Sequence, residues 1–230
     1  AGDAEIIACI GGDGAAHRSF EATAANFSNF TIDASFPYGG GGPNAAFAMI
    51  TRRYMDDFGA RREDFGAISV AQRYNANHYP DALLGHKTLN LEQYLAARPI
   101  AAPLHLLDCV MPCAGGEGFL MMSEERARSL GLDWCRILAA DELHNAHRDD
   151  DIQLRGGWTE YAERLWNRAG FGPDEVDMLQ TYDDYPVISM LQMEDLGFCA
   201  KGEAPGWVRD TDLRFDGSGP QARKLPHNTS

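Results

Sequence analysis

At 230 residues with 44% hydrophobic side chains, the chain can bury a sizeable core in one large or two small domains. No run of about 18 apolar residues occurs, which predicts no transmembrane helix. The formal net charge of −14 repels phosphate backbones and anionic membrane surfaces, so nucleic-acid binding is not expected.

The cysteines and the N-terminus indicate a cellular compartment. The five cysteines are an odd number and form no Cys-x-x-Cys pair, which favours a reduced, intracellular protein over a disulfide framework or a zinc ribbon. Each cysteine is interpreted as a small buried hydrophobe. The N-terminus shows no basic region followed by an apolar core, so no signal peptide is visible and the cytoplasm is the default location.

The first half of the chain alternates apolar runs with helical patterns. Residues 5–11 form a short apolar run that predicts a central strand. Four glycines at residues 39–42 predict a loop tip, because they lack the pattern of a phosphate-binding loop. Pro43 then suits the first turn of a helix. The other elements predicted in this half are that helix to about Phe58, a helix over 61–77, a short helix over 91–97, a buried strand over 119–122 and a helix from Ser123 to Gly131.

The second half continues the alternation. An amphipathic pattern over 157–169 predicts a helix that Gly170 stops, and a polar stretch over 141–155 predicts a loop. The other predicted elements are a strand over 134–140, a buried strand over 176–180, an apolar helix over 187–196 and, over 200–230, a loop with little regular structure. Strands that alternate with helices indicate an α/β architecture.

A polar and aromatic corner joins the strand over 176–180 to the following helix. Open α/β proteins place chemistry at such corners. A phenol donates hydrogen bonds, so Tyr182 can stabilise an oxyanion or act as a general acid or base. The alternative is that its ring packs at the strand end and its hydroxyl forms a hydrogen bond with the backbone. Asp183 either orients a catalytic group or caps the helix. Asp184 and Tyr185 are each interpreted as structural or as pocket wall, and Tyr185 is the residue assigned to substrate binding.

Two other clusters have simpler interpretations. His144 and His147 stand three residues apart beside a run of acids, which is a weak metal-binding pattern without a third ligand. The segment is interpreted as a solvated loop, and no metal site is predicted. The paired arginines at residues 52–53 and 61–62 either form a local basic patch for an anionic ligand or are solvated helix residues.

Several segments of the chain resemble one known family. After the corner, Gln192 to Glu203 reads QMEDLGFCAKGE, and Leu225 to Ser230 reads LPHNTS. These segments resemble runs of the sterol-carrier-type thiolases, in the thiolase superfamily. Segments at 3–13, 42–49, 61–73 and 121–132 resemble successive parts of the same family, so the likeness covers nearly the whole chain in order.

The resemblance implies a fold and a domain division. The fold is a thiolase-like layered α/β/α/β/α arrangement, incomplete at both ends. Residues 1–130 would be the end of the N-terminal half with its inserted loop domain, and residues 131–230 most of the C-terminal half. In the family the reactive cysteine lies upstream of the segments matched here, and the catalytic histidine and second cysteine lie downstream.

The resemblance also implies an activity. A thiolase-like enzyme makes or breaks a C–C bond in an acyl-CoA thioester, with coenzyme A as part of the substrate and no other cofactor. Tyr182 stands where the family has Asn or His beside the thioester oxygen, and Asp183 stands where it has a carboxylate. Some thiolase-like aldolases of steroid side-chain degradation use tyrosine and act with a small OB-fold and zinc-ribbon partner, so Tyr182 favours retro-aldol cleavage of a bulky acyl-CoA over thiolysis.

Two further expectations follow from the family. Precedent in the family suggests a homodimer. The alternative function is non-catalytic: a thiolase-like protein that binds lipid or acyl-CoA, or a scaffold subunit whose partner supplies the chemistry.

Overall fold

The computed structural model describes residues 4–13, 36–40, 42–111, 114–150 and 152–229. These residues form a mixture of helices and strands. In chain order they are β1 (Ile6–Asp13), α1 (Pro43–Phe58), α2 (Arg62–Ala76), α3 (Leu91–Leu95), β2 (Pro99–Ala101), β3 (Leu104–His105), β4 (Gly115–Met122), α4 (Glu124–Ser129), α5 (Trp158–Ala169), β5 (Leu179–Thr181), α6 (Pro186–Asp195), α7 (Ala204–Asp210), β6 (Thr211–Asp212), β7 (Arg223–Lys224) and β8 (His227–Thr229).

The described strands form pairs. β1 runs antiparallel to β4 and β2 antiparallel to β3, whereas β5 pairs in parallel with β8 and β6 with β7. In the β5–β8 pair, Leu179 lies opposite His227 and Thr181 opposite Thr229. Parallel pairing brings the carboxyl ends of β5 and β8 to the same edge, and the corner that begins at Tyr182 lies there.

Helix α6 lies in the centre of the core. Nine of its ten residues are buried, including Ser189, Gln192, Glu194 and Asp195. It packs against α1, α2, α5 and α7. A helix that is buried on every side must find internal partners for its polar side chains, and those partners shape the corner that precedes it.

The helix boundaries follow from local chemistry. Pro43 occupies the first turn of α1, where its missing N–H costs nothing, and Gly59 ends the helix with a positive φ of 69°. Ser123 caps α4 by accepting a hydrogen bond from the Arg126 N–H at 3.2 Å. Gly170 ends α5 with a φ of 84°. The predicted helices that begin near residues 43, 61, 91, 123, 157 and 187 are confirmed within a few residues.

Three predictions about strands and loops are wrong. β1 and β4 form an exposed ribbon rather than buried strands: Ile10 is 83% and Phe119 60% exposed, because each has only the other as its strand partner among the described residues. Residues 134–140 form no strand, and Trp134 instead lies beneath Arg128 with 5.1 Å from guanidinium to ring centre. Residues 200–230 contain α7, β6, β7 and β8 rather than loop alone.

The cysteines are less buried than predicted. Cys135 is exposed, and Cys9, Cys109 and Cys199 are half-buried. Cys113 and Gly41, the latter in the predicted loop tip, lie outside the described residues. Among the helices that the structure describes, none combines the length and the apolar character that crossing a membrane requires.

Candidate active site

The corner between β5 and α6 spans four residues, Tyr182 to Tyr185. The predicted strand over 176–180 is shorter than expected, because a single 3₁₀ turn over Pro173–Glu175 precedes it and pairing with β8 begins only at Leu179. Tyr185 is extended, with φ −149° and ψ 145°, as expected of a residue that precedes a proline. Pro186 then starts α6 one residue earlier than predicted.

The Tyr182 side chain is a hydrogen-bond donor at the surface. It is 57% exposed, and its hydroxyl donates to Asp184 Oδ1 at 2.8 Å. This hydrogen bond, with a smaller effect of partial burial, raises the pKa of Tyr182 to about 12. The phenol is therefore protonated at neutral pH. Its partner is a carboxylate rather than the backbone group that the packing alternative predicted.

Asp183 and Asp184 both line a groove beside the corner, which we call the corner groove. The Asp184 carbonyl accepts a hydrogen bond from the Val110 N–H at 3.2 Å. The N-cap residue of α6 is Tyr185 and not Asp183. The corner thus presents two adjacent carboxylates to the groove, and one of them holds the Tyr182 hydroxyl.

Tyr185 points away from the surface and into the core. It is 1% exposed, and its ring stacks on Phe47 of α1 with 4.2 Å between ring centres. Its hydroxyl donates to Asn44 Oδ1 at 2.6 Å, and burial raises its pKa above the ordinary value. The structure gives Tyr185 a supporting place that ties the corner to α1. Its substrate-binding role stays a prediction.

A buried polar layer lies behind the corner. The Thr181 hydroxyl is 3.0 Å from the Ser189 hydroxyl and 2.9 Å from His227 Nε2. His227 is 1% exposed, and burial lowers its pKa to about 4, so the imidazole is neutral at physiological pH. Sequence reasoning missed His227, although a histidine between Pro226 and Asn228 in an otherwise family-like run was a visible signal.

The corner groove is large and open, with a volume of about 830 Å³. One wall comes from α2 and the loop after it, and the opposite wall from residues 107–111 and the corner. His227 and Met178 also line it. Its other apolar lining residues are Ala76, Ala82, Leu84, Leu89, Leu107, Val110, Met111, Pro186, Phe215 and Pro226. Polar and charged side chains make up about half of the lining residues, so the groove offers a small organic ligand both apolar surface and hydrogen-bonding groups.

The other candidate clusters are engaged in structural contacts. His144 is exposed beside Glu142, whereas His147 is buried against Gly156 and Thr159, so the interpretation of both as solvated is wrong for His147. Among the described residues, no group of three or more side chains could hold a metal ion.

The paired arginines bind parts of their own chain. Arg53 forms an ion pair with Asp150 at 2.8 Å, and Arg62 donates to the Leu95 carbonyl at 2.8 Å. Arg62 also lies over the Tyr94 ring, 5.3 Å from its centre. These contacts favour a structural interpretation of both arginine pairs.

The comparisons with known proteins agree with this architecture. Residues 139–230 match the family model described as thiolase C-terminal domain-like. The chain belongs to the thiolase superfamily. It is 35% identical over 208 residues to the 17-hydroxy-3-oxo-4-pregnene-20-carboxyl-CoA lyase of Mycobacterium tuberculosis, covering 85% of this chain and 51% of that protein. It is 32% identical over 200 residues to the steroid side-chain-cleaving aldolase of Thermomonospora curvata, covering 84% and 50%.

A solved structure and the matched family model support the predicted fold. The structure named Ltp2-ChsH2(DUF35) aldolase superposes with a TM-score of 0.76 at 28% identity, covering 97% of this chain and 58% of that one. The prediction of a thiolase-like α/β fold is therefore confirmed. The chain spans about half the length of the curated relatives it matches, and the domain boundary near residue 130 stays a prediction.

Proposed function

We propose that this thiolase-superfamily chain takes part in the retro-aldol cleavage of a bulky acyl-CoA. The single observation that carries the proposal is the Tyr182 hydroxyl, protonated and hydrogen-bonded to Asp184, a residue that lines the corner groove. The relatives support it, because two of them carry the names of an aldolase and of a CoA-thioester lyase. A thiolase-type reaction that depends on cysteine chemistry draws no comparable support from the corner.

The reaction that this site would catalyse has a defined proton balance. A base removes the proton of a hydroxyl on the carbon β to the thioester, and the bond between the α and β carbons breaks. A ketone leaves, and the electron pair passes to the α carbon as a thioester enolate. An acid then protonates that carbon, so no oxidant, reductant or additional cofactor is consumed.

The corner residues suit parts of this sequence. A protonated phenol is a donor that can stabilise the charge developing on an enolate oxygen or deliver a proton. We assign this role to Tyr182. Asp184 orients the hydroxyl, and Asp183 is assigned a supporting catalytic role in the corner groove. Tyr185 would hold the corner in place through its contacts with Asn44 and Phe47.

We also propose the assembly and the location. The protein would act as a homodimer in the cytoplasm, together with a small protein built from an OB-fold and a zinc ribbon. The name of the similar solved structure joins two components, which favours a partner protein.

Turnover of matched substrates tests the proposal. The purified protein is incubated with a bulky acyl-CoA that carries a β-hydroxyl on a tertiary carbon, and separately with a β-ketoacyl-CoA of similar size plus free CoA. Mass spectrometry follows the ketone and the shortened acyl-CoA. We expect cleavage of the hydroxylated substrate, and a fall in kcat of about 100-fold or more in Tyr182→Phe, the scale of losing one oxyanion donor.

A control variant and two contrary outcomes complete the test. Tyr38→Phe removes a hydroxyl from a side chain that is 89% exposed and should leave turnover unchanged. Thiolysis of the β-keto substrate alone would mean Claisen chemistry. Binding of both thioesters without turnover would mean the non-catalytic alternative.

A further inference from the structure

One buried side chain, that of Gln192, holds the backbone of Tyr182 from two sides. Gln192 Oε1 accepts a hydrogen bond from the Tyr182 N–H at 3.2 Å, and Gln192 Nε2 donates to the Tyr182 carbonyl at 2.5 Å. The same Nε2 donates to the Ile188 carbonyl, 3.1 Å away. Gln192 is 6% exposed, so water competes little for these bonds. We call this arrangement the Gln192 clasp.

The Gln192 clasp lies where the sheet stops. β5 pairs with β8 as far as Thr181, and Tyr182 is the first residue beyond the ladder. A backbone N–H and C=O that leave a ladder need new partners when they are shielded from water. A side-chain amide has both the donors and the acceptor to supply them. Gln192 therefore takes the place of a neighbouring strand and fixes the backbone from which the phenol projects.

Hydrogen bonds also hold Thr181 and Asp184, which lie before and after Tyr182 in the chain. Asp184, the partner of the phenol, is fixed through its carbonyl by the Val110 N–H. Ser189 lies three residues before Gln192 on α6 and contacts the Thr181 hydroxyl at 3.0 Å. Residues three apart share a helix face, so one face of α6 holds both Thr181, the last residue of β5, and Tyr182, the first residue of the corner.

We propose that Gln192 is a positioning residue for Tyr182. The inference rests on the proposed function, since it makes the clasp responsible for the orientation of the reacting phenol. Gln192 acts through Tyr182 and has no contact of its own with the reacting atoms. A displacement of about 1 Å at a reacting group can reduce the rate about 100-fold. Loss of the clasp should therefore lower kcat by up to about this factor.

Hydrogen exchange tests the clasp without reference to activity. Gln192→Met keeps the length and volume of the side chain but removes its polar atoms. We expect the Tyr182 amide to lose its protection in this variant while the amides within α6 keep theirs. As a control, Met190→Ala removes a side chain that is 0% exposed from the same helix and that takes no part in the hydrogen bonds of the clasp; the Tyr182 amide should stay protected.

Kinetics test the positioning role. In Gln192→Met we expect kcat to fall about 10- to 100-fold, with KM changed by no more than about twofold, because orientation and not binding is lost. Met190→Ala should keep the wild-type kcat at temperatures below its unfolding transition. A role of Gln192 in general stability would make the two variants lose kcat alike.

A second variant adds a pH signature. In Gln192→Glu, an ionised carboxylate can accept the Tyr182 N–H bond but repels the two carbonyls, whereas the protonated form can donate to one of them. Activity relative to wild type should therefore recover as the pH falls. A ratio that is independent of pH would contradict the clasp.

The outcomes separate this inference from the proposed function. If the wild-type protein cleaves no substrate, the proposed function is overturned, but hydrogen exchange still tests the clasp. An active wild-type protein with an unaltered kcat in Gln192→Met would overturn the positioning role alone. An equally protected Tyr182 amide in Gln192→Met would overturn the clasp itself.

Discussion

The buried imidazole of His227 predicts a pH-dependent loss of stability. Its pKa is lowered by burial from an ordinary 6.5 to about 4. Below pH 6.5 the unfolded chain therefore binds a proton that the folded chain does not bind until about pH 4. The free energy of unfolding is greatest above pH 6.5 and falls as the pH drops through this window, because the unfolded state binds more protons.

The size of the effect follows from the two pKa values. Each pH unit between them contributes about 1.4 kcal/mol, so the change from 6.5 to about 4 amounts to about 3 kcal/mol. His227 is 1% exposed, so solvent screening does not reduce this figure. About 3 kcal/mol is a large part of the 5–15 kcal/mol by which domains are typically stable.

The perturbation that isolates this effect is His227→Gln. The glutamine can keep a hydrogen bond to Thr181 but does not titrate. Urea unfolding, followed by tryptophan fluorescence at a series of pH values from about 7 to 4, gives the free energy of unfolding of each protein. Carboxylates titrate in both proteins and cancel in the difference, so the advantage of wild type over the variant should shrink by about 3 kcal/mol as the pH falls.

One control and two results decide this prediction. His86→Gln changes an exposed histidine and should give a curve parallel to wild type. Parallel curves for wild type and His227→Gln would refute the reasoning, because they would mean that His227 takes up its proton equally in both states. A wild-type advantage that grows towards pH 4 would mean that the folded protein stabilises the imidazolium.

Three further predictions concern the core, each checked by urea unfolding at neutral pH. Met190→Ala empties a site with 0% exposure and should cost about 2–5 kcal/mol; a loss below about 1 kcal/mol would mean that α6 packs loosely. Gly66→Ala places a Cβ 2.7 Å from the Tyr94 ring. The cost of overpacking, about 1–3 kcal/mol, should outweigh the gain in helix propensity of about 1 kcal/mol. A net stabilisation would contradict the close contact between Gly66 and Tyr94. Lys201→Met leaves the buried Asp195 carboxylate without its 2.5 Å ion-pair partner and should lower the free energy of unfolding by about 3 kcal/mol. The loss should be smaller in acid, because burial raises the pKa of Asp195 and the carboxyl is then protonated and uncharged.

The sequence predicted those elements whose signals are local. Pro43 at the start of α1, Ser123 before α4 and Gly170 after α5 each act on the backbone of their own turn. The amphipathic pattern of α5 likewise depends on residues within a few turns of one another. These helices were therefore predicted close to their observed boundaries.

The errors concern features that depend on distant residues. The apolar runs in β1 and β4 predicted burial, but burial depends on what packs against a strand, and Ile10 and Phe119 remain exposed. Residues 134–140 have a strand-like composition, but they pair with no strand in the part of the chain that the structure describes. α7 was missed because its signal, Pro205 in the first turn, is weak against the surrounding glycines.

The candidate site was predicted only in part. The strand-to-helix corner and its polar residues were visible in the sequence, and the structure places Asp183 and Asp184 on one groove. The direction of Tyr185 into the core was not visible, because it depends on Asn44 and Phe47, far away in the chain. His227 stands out within a family-like run, but its contact with Thr181 joins residues 46 positions apart and was not visible.

The run from Gln192 to Glu203 is the segment through which the family is most readily recognised. Its polar side chains form hydrogen bonds and ion pairs within the protein. Gln192 holds the Tyr182 backbone, Glu194 accepts hydrogen bonds from the Gly202 and Ala204 amides, and Lys201 joins both acids of the helix. Substitutions of the Tyr182 side chain would leave these contacts intact, because Gln192 binds the backbone of that residue. Related sequences can therefore share this run and differ at the corner, so a genome survey that scores the run identifies the shared scaffold and does not test the role proposed for Tyr182.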